Sequence, residues 1–336
     1  MKGQRISLAH GAGGKLSHDL VQGLFLPYLS SAPLEALDDS AVIPFKTGQL
    51  AFTTDAYVVK PPFFPGGDIG RLAVCGTVND LAMVGADPLG LSTAFIIEEG
   101  FLIADLERVL VSMQAAAQEA GVQVVAGDTK VVEHGAIEGL FITTAGIGQI
   151  PKGIVMGSAH ALPGDVVIVS GPLGDHEIAV LLARGEFSLQ GEVQSDCAPL
   201  NTLVATMLAV SNSLHCLRDP TRGGMATVLW EIAHASGVGV VIEEGEIPIR
   251  GEVKAICALL GFDPYYLANE GRLIALVPEQ AAKRILQAMQ GHPLGIGAKV
   301  IGRVVAEHPG QVLLHTALGG HRILEPLSGV QFPRIC

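Results

Sequence analysis

Carboxylates recur at one kind of position in this sequence, at the margin of an apolar segment or beside glycine. Asp38 and Asp39 precede Ser40-Ala41-Val42, and Asp55 follows Ala51-Phe52-Thr53-Thr54. Asp80 follows Asn79 in a helical pattern, and Asp128 stands in Gly127-Asp128-Thr129-Lys130 after an apolar stretch. Such hard oxygen ligands suit Mg²⁺, which keeps positions for water and phosphate oxygens. Taken singly, each also reads as a cap or turn aspartate. As a set, Asp39, Asp55, Asp80 and Asp128 point to a cation cleft assembled from neighbouring strand ends.

Three glycine-rich turns precede helical patterns: His10-Gly11-Ala12-Gly13-Gly14-Lys15, Pro65-Gly66-Gly67-Asp68-Ile69-Gly70-Arg71 and Asp219-Pro220-Thr221-Arg222-Gly223-Gly224. Glycine before a helix lets a phosphate approach unpaired backbone N–H groups, with Lys15, Arg71 and Arg222 supplying charge. None of the turns is a P-loop or a dinucleotide fingerprint, and each also reads as an ordinary tight turn. Glu270, in Asn269-Glu270-Gly271 ahead of an apolar strand, is either a solvated glutamate or a partly buried general base. His10, His176 and His292 sit in loop contexts and are given no metal. Cys336 closes Phe332-Pro333-Arg334-Ile335-Cys336, where a thiol is either incidental or placed to carry a covalent group between sites.

Positioning these residues falls to alternating helical and strand patterns, which predict an α/β or α+β fold. Leu106, Val109, Leu110 and Met113 predict a helix over 104–120 that Gly121 ends. Further helical stripes are Cys197-Leu200-Val204-Met207-Leu208, Met225-Val228-Leu229-Ile232 and Val253-Ile256-Cys257-Leu260. Strands are expected over 50–54, 89–97, 122–125, 139–148, 166–170, 238–242, 273–277 and 312–315. Turn-rich sequence near 150–164 divides the chain into domains at 1–154 and 155–324. Residues 325–336, with two prolines, a glycine and no periodicity, read as an extended tail.

Composition narrows the partners. Thirty-three acids against 21 Lys and Arg give a net charge of −12, which speaks against a general nucleic-acid binder. No apolar run is long enough to span a bilayer. Five cysteines without C-x-x-C spacing argue against a disulfide framework and for the reducing cytoplasm.

Taken together and in order, these segments resemble the HypE family, the carbamoyl dehydratases of [NiFe]-hydrogenase maturation. The resemblance rests on Leu8-Ala9-His10-Gly11, Thr53-Thr54-Asp55, Phe64-Pro65-Gly66-Gly67-Asp68, Asn79-Asp80, Gly127-Asp128-Thr129-Lys130 and Gly174-Asp175-His176. It continues in Arg218-Asp219, Thr221-Arg222-Gly223-Gly224, Asn269-Glu270-Gly271 and, most specifically, the terminal Pro333-Arg334-Ile335-Cys336. The internal motifs are shared with enzymes similar to aminoimidazole ribonucleotide synthetase, selenophosphate synthetase and thiamine-monophosphate kinase. The resemblance implies a two-domain fold of that type, a homodimer joined through the N-terminal sheets, and an ATP cleft built largely by the paired N-terminal domains. It implies that Cys336 accepts a carbamoyl group from the carbamoyltransferase HypF. ATP would then phosphorylate the carboxamide oxygen, and loss of phosphate would leave a thiocyanate for the HypC–HypD scaffold. Glu270 is then the expected base, Lys130 a catalytic cation, and Mg²⁺ the ion of the aspartate set. Lys15, Gly66, Gly67, Asn79, Thr129, Asp219 and Arg222 are the expected ATP-binding residues. Another ATP-dependent enzyme of the same type, or a non-catalytic adaptor docking through its tail, are the alternatives.

Overall fold

A computed structural model of the protein describes residues 14–29, 35–45, 48–185 and 191–327. His10 and Cys336 lie outside the described residues. The chain opens with α1 (Lys15–Leu20), which passes through a π-helical turn (Val21–Phe25) into α2 (Leu26–Leu29). There follow β1 (Ala41–Phe45), β2 (Gly48–Tyr57), the short β3 (Phe63–Phe64) and β4 (Gly67–Asp68), α3 (Ile69–Met83), β5 (Asp87–Glu98), α4 (Ile103–Ala120), β6 (Val124–Val132) and β7 (Leu140–Ile150). Strands β1, β2, β7, β5 and β6 form one sheet in that order, antiparallel except for the parallel β5–β6 pair.

The later part contains β8 (Val166–Val169), α5 (Asp175–Arg184), α6 (Asn201–Val210), β9 (Cys216–Arg218), α7 (Gly224–Ser236), β10 (Gly239–Glu243) and α8 (Gly251–Leu260). It closes with β11 (Ile274–Val277), α9 (Glu279–Gln290), β12 (Lys299–Val305), β13 (Val312–His315) and β14 (His321–Ile323). The second sheet runs β14-β13-β10-β12-β8-β11-β9, with β10 and β13 parallel.

Among the strands that extend past their expected ends, β2 and β6 carry site residues in the added segments. In β2, Ala51, Thr53 and Tyr57 are buried while Phe52, Thr54 and Ala56 are exposed, so the period-2 alternation carries Asp55 inside the strand. In β6, the β-branched Val124, Val125, Thr129, Val131 and Val132 keep the backbone extended through Gly127 and Asp128. The segment Gly127–Lys130 is therefore part of an exposed edge strand and not a loop after one. By contrast, α4 ends as expected, with Gly121 in the left-handed conformation at φ 69°.

Helix α3 is the structural centre of the first half. Asp68 starts it, its Oδ1 accepting from the N–H of Gly70 at 2.7 Å and of Arg71 at 3.1 Å. Almost every residue of α3 is buried, which accounts for its apolar character on all sides. One continuous apolar core joins Ala51, Leu81 and Ile150 of the first half to Ile168, Leu203 and Leu273 of the second. Any polar side chain on α3 must therefore find a partner inside the protein or face a cavity.

Candidate active site

Four elements bring carboxylates together. The inward face of β2 presents Thr53 and Asp55, α3 presents Asp80, the approach to β1 brings Asp38 and Asp39, and the end of β9 brings Arg218 and Asp219. Thr53 donates its hydroxyl to Asp80 Oδ2 at 2.7 Å, and Asp55 Oδ2 accepts from the Tyr57 hydroxyl at 3.0 Å. One oxygen from each of Asp39, Asp80 and Asp219 falls within 4.8 Å of the others, the one group of three or more possible metal ligands that close together among the described residues. A cavity of about 350 Å³ opens over the cluster, and Asp55, Thr221 and Arg222 also line it. It adjoins a larger one of about 670 Å³ whose wall includes His18, Trp230 and His234. The indole of Trp230 stacks on His234 at 5.1 Å and meets His18 edge-on at 5.6 Å.

Arg218 braces one side of the cluster. Its Nε lies 2.7 Å from Asp39 Oδ2, while its other nitrogens donate to Glu231 and Ser158, each at 3.0 Å. The positive charge does not offset the concentration of negative charge. Burial, then repulsion from Asp55, Asp219 and Asp39, raises the Asp80 carboxyl well above its usual range. Burial likewise raises Asp39 despite Arg218, and pushes Asp219 up to about 6. Three hard-oxygen donors that resist ionisation next to one another are a set that a small divalent cation would satisfy, so the residues fit Mg²⁺.

Glu270 stands at the same site, on the loop before β11. It is buried, and burial together with Asp219, Asp196 and Asp55 raises its carboxyl well above the usual range, with Arg222 acting in the opposite direction. The loop is held from both sides. Glu270 N donates to Asp196 Oδ1 at 3.1 Å, and the Asn269 amide accepts from Gly174 N at 2.7 Å and donates to Pro220 O at 3.0 Å. Gly271 permits the approach, since a Cβ there would lie 1.8 Å from the Asp196 carbonyl oxygen. A buried carboxyl raised above its usual range beside a carboxylate cluster is suited to proton transfer.

The expected site residues divide into two groups. Asp39, Asp55, Asp80, Asp219, Arg222 and Glu270 are brought together, with Asp219 joining the carboxylates rather than acting only in a phosphate turn. Lys15 is instead exposed and paired with Asp19 at 2.6 Å. Gly66 packs on the Ser195 backbone, Gly67 on Phe64, and the N-terminus of α3 beyond them is already capped by Asp68. Arg71 is held by Glu119 and by the Cys197 carbonyl, each at 2.8 Å. Asn79 is wholly buried and does not line the cavity: Leu200 N donates to its Oδ1 at 2.7 Å, and its Nδ2 donates toward Ala198 O and Glu270 O. Asp128, Thr129 and Lys130 lie on the exposed β6, three strands from Asp55 and therefore roughly 14 Å away within one chain.

Arg218, Thr53 and Asp196 had not been expected at the site. The signal for Arg218 was its place beside Asp219 at the end of the apolar Cys216-Leu217, where buried charges need a partner. Among the turns before helices, that of α7 leaves its N-cap Gly223 without a side-chain acceptor, with Thr221 and Arg222 at the cavity.

The fold and this site place the chain in a recognised class. Residues 37–150 match the family model "AIR synthase related protein, N-terminal domain", and residues 163–315 match the corresponding C-terminal domain. Carbamoyl dehydratase HypE of Rhodobacter capsulatus is 51% identical over 338 residues, covering 100% of this chain and 99% of that protein. The chain belongs to the carbamoyl dehydratase HypE family. A HypE crystal structure in complex with ATP superposes with a TM-score of 0.83 at 46% identity, over 97% of this chain and 98% of the other. HypE in a HypE–HypF complex superposes with a TM-score of 0.87 at 44% identity, over 92% of this chain and 99% of the other.

Proposed function

We propose that the protein catalyses the ATP-dependent dehydration of an S-carbamoyl group on Cys336 to a thiocyanate, the source of cyanide ligands for the [NiFe]-hydrogenase iron. The observation that carries this reading is the buried Asp39–Asp80–Asp219 cluster with Glu270 beside it, in a chain so similar over its whole length to a carbamoyl dehydratase. An amide oxygen leaves poorly. Transfer of the ATP γ-phosphoryl group to the carbamoyl oxygen converts it into a phosphate leaving group, with release of ADP. Loss of that phosphate and of the amide-nitrogen protons forms the carbon–nitrogen triple bond.

Glu270 is placed to take a proton from nitrogen, burial and the neighbouring carboxylates having raised its affinity for one. Asp39, Asp80 and Asp219, with Asp55 adjacent, would hold Mg²⁺, which offsets charge on a transferring phosphoryl group when bound. Arg222 is placed to meet phosphate oxygens.

The division into an N-terminal domain (1–154), a C-terminal domain (155–324) and a tail (325–336) is part of the proposal. So is a homodimer. Its support is the outer face of the first sheet, where Ile43, Phe45, Phe52 and Ile147 are exposed together, and the exposed edge strand β6. In that dimer Asp128, Thr129 and Lys130 serve the cleft of the second subunit. HypF is the proposed carbamoyl donor, the HypC–HypD complex the acceptor, and the cytoplasm the compartment. Among the described residues no helix is long and apolar enough to cross a membrane.

Intact-protein mass spectrometry after incubation with the carbamoyltransferase, carbamoyl phosphate and Mg-ATP tests the reading. The protein gains one carbamoyl group and then loses the mass of one water only when its own ATP site is competent. Cys336→Ala gains nothing. An adduct on another residue would falsify the mechanism.

A further inference from the structure

The end of the second sheet holds a second group of metal-ligating side chains, separate from the acid cavity. Strands β10, β13 and β14 lie side by side there, with Glu243 in register with His315 and His315 with His321. Directly opposed residues on adjacent strands point to the same face. On β10 and β13 the other face is occupied by the buried Val240, Ile242, Val312 and Leu314. Glu243, His315 and His321 therefore form a row on the outer face. The turn from β13 to β14 locks this register, because Thr316 N donates to Gly320 O and Gly319 N to Thr316 O, each at 2.9 Å, with Gly319 at φ 83°.

The contacts in the row have a definite chemical sense. His315 Nδ1 lies 2.9 Å from Glu243 Oε1. An ionised carboxylate only accepts, so Nδ1 carries a proton, and in the neutral ring Nε2 is the nitrogen that keeps a lone pair. That is the arrangement in which a carboxylate orients an imidazole and makes it a better metal ligand. The His321 ring stands 4.5 Å from the His315 ring, centroid to centroid, tilted by 60°. A metal–nitrogen distance of about 2.0–2.1 Å places two ligating nitrogens about 3–3.4 Å apart, which rings at this separation reach.

We propose that His315 and His321 form a binding site for a late first-row divalent cation, with Glu243 positioning His315. Imidazole nitrogens select Zn²⁺, Ni²⁺ or Cu²⁺ over Mg²⁺, so the site is chemically distinct from the all-carboxylate cluster. None of its three residues lines the acid cavity.

Tag-free full-length protein titrated calorimetrically with Zn²⁺ in millimolar Mg²⁺ tests the site. The wild type takes up one equivalent that His321→Ala and His315→Ala each lose, while His292→Ala and Cys336→Ala keep it. Glu243→Gln weakens that equivalent by about tenfold. Since His321 is exposed on a terminal strand, its variant folds as the wild type does, which circular dichroism checks. Unchanged Zn²⁺ uptake in His321→Ala, or an equivalent lost in Cys336→Ala instead, overturns the proposal.

Discussion

Replacing Asn79 separates a structural role from a nucleotide-binding one. In Asn79→Ala, Leu200 N–H loses the acceptor it holds at 2.7 Å and is left buried, at a cost of about 1–3 kcal/mol. The Ala198 and Glu270 carbonyls each lose a donor, worth about 0.5–1.5 kcal/mol, although Glu270 O keeps the Ala198 N–H at 3.3 Å. The expected loss is about 3 kcal/mol, which at a urea slope of about 3 kcal/mol per molar moves the unfolding midpoint down by about 1 M. Asn79→Asp is the sharper variant. It preserves shape and the Leu200 bond but turns a donor into a carboxyl facing two carbonyls. Burial raises such a carboxyl in the folded state above its unfolded value. Stability is therefore retained at acid pH, while the group is protonated, and lost as pH rises through the folded value. Urea unfolding of both variants at pH 5 and pH 8, followed by fluorescence, measures this. A midpoint for Asn79→Ala equal to the wild type, with weakened ATP binding, would refute the structural assignment and restore Asn79 to the nucleotide.

Three further outcomes follow from the same geometry. Asp80→Asn leaves Cys336 open to carbamoylation but slows dehydration by about 10²-fold or more, since it removes a cluster ligand worth several kcal/mol; dehydration at the normal rate would displace the cation from this cluster. Mixing Lys130→Ala with Asp80→Asn, each inactive alone, restores about a quarter of wild-type turnover if Lys130 serves the second subunit, because half the dimers are then mixed with one intact site each. A mixture that stays inactive places Lys130 elsewhere. His176 is fully buried and its ring is pushed down from 6.5 to about 3 by burial, so the folded protein is at full stability above about pH 6.5 and loses stability as pH falls toward 3. That shift corresponds to at most about 5 kcal/mol, and His176→Gln flattens the decline in acid-unfolding curves.

How much of this was legible in the sequence follows from the range of each interaction. The Gly121 stop and the Val312–His315 strand depend on neighbouring residues, and both stand where periodicity puts them. The ends of β2 and β6 do not, because strand pairing carries Asp55 and Asp128 into regular structure where local sequence suggests a turn. The carboxylates were recognisable by type and place, but Asp39, Asp80 and Asp219 come from three distant segments, and only sheet order shows which converge within one chain and that Asp128 stands apart from them there. For Asn79, its place beside Asp80 in sequence suggests a nucleotide contact, and only the packing of α3 shows that its amide holds the backbone of Ala198, Leu200 and Glu270.

The adjacency of Asn79 and Asp80 on α3 has a dynamic consequence. One residue clamps the backbone of the second half, and the next supplies the cluster shared by both halves. A rigid-body hinge between the halves would break the clamp, open their common apolar core and scatter the ligands in one movement. A hinge of that kind is therefore opposed by hydrogen bonding, apolar burial and the shared carboxylate cluster at once.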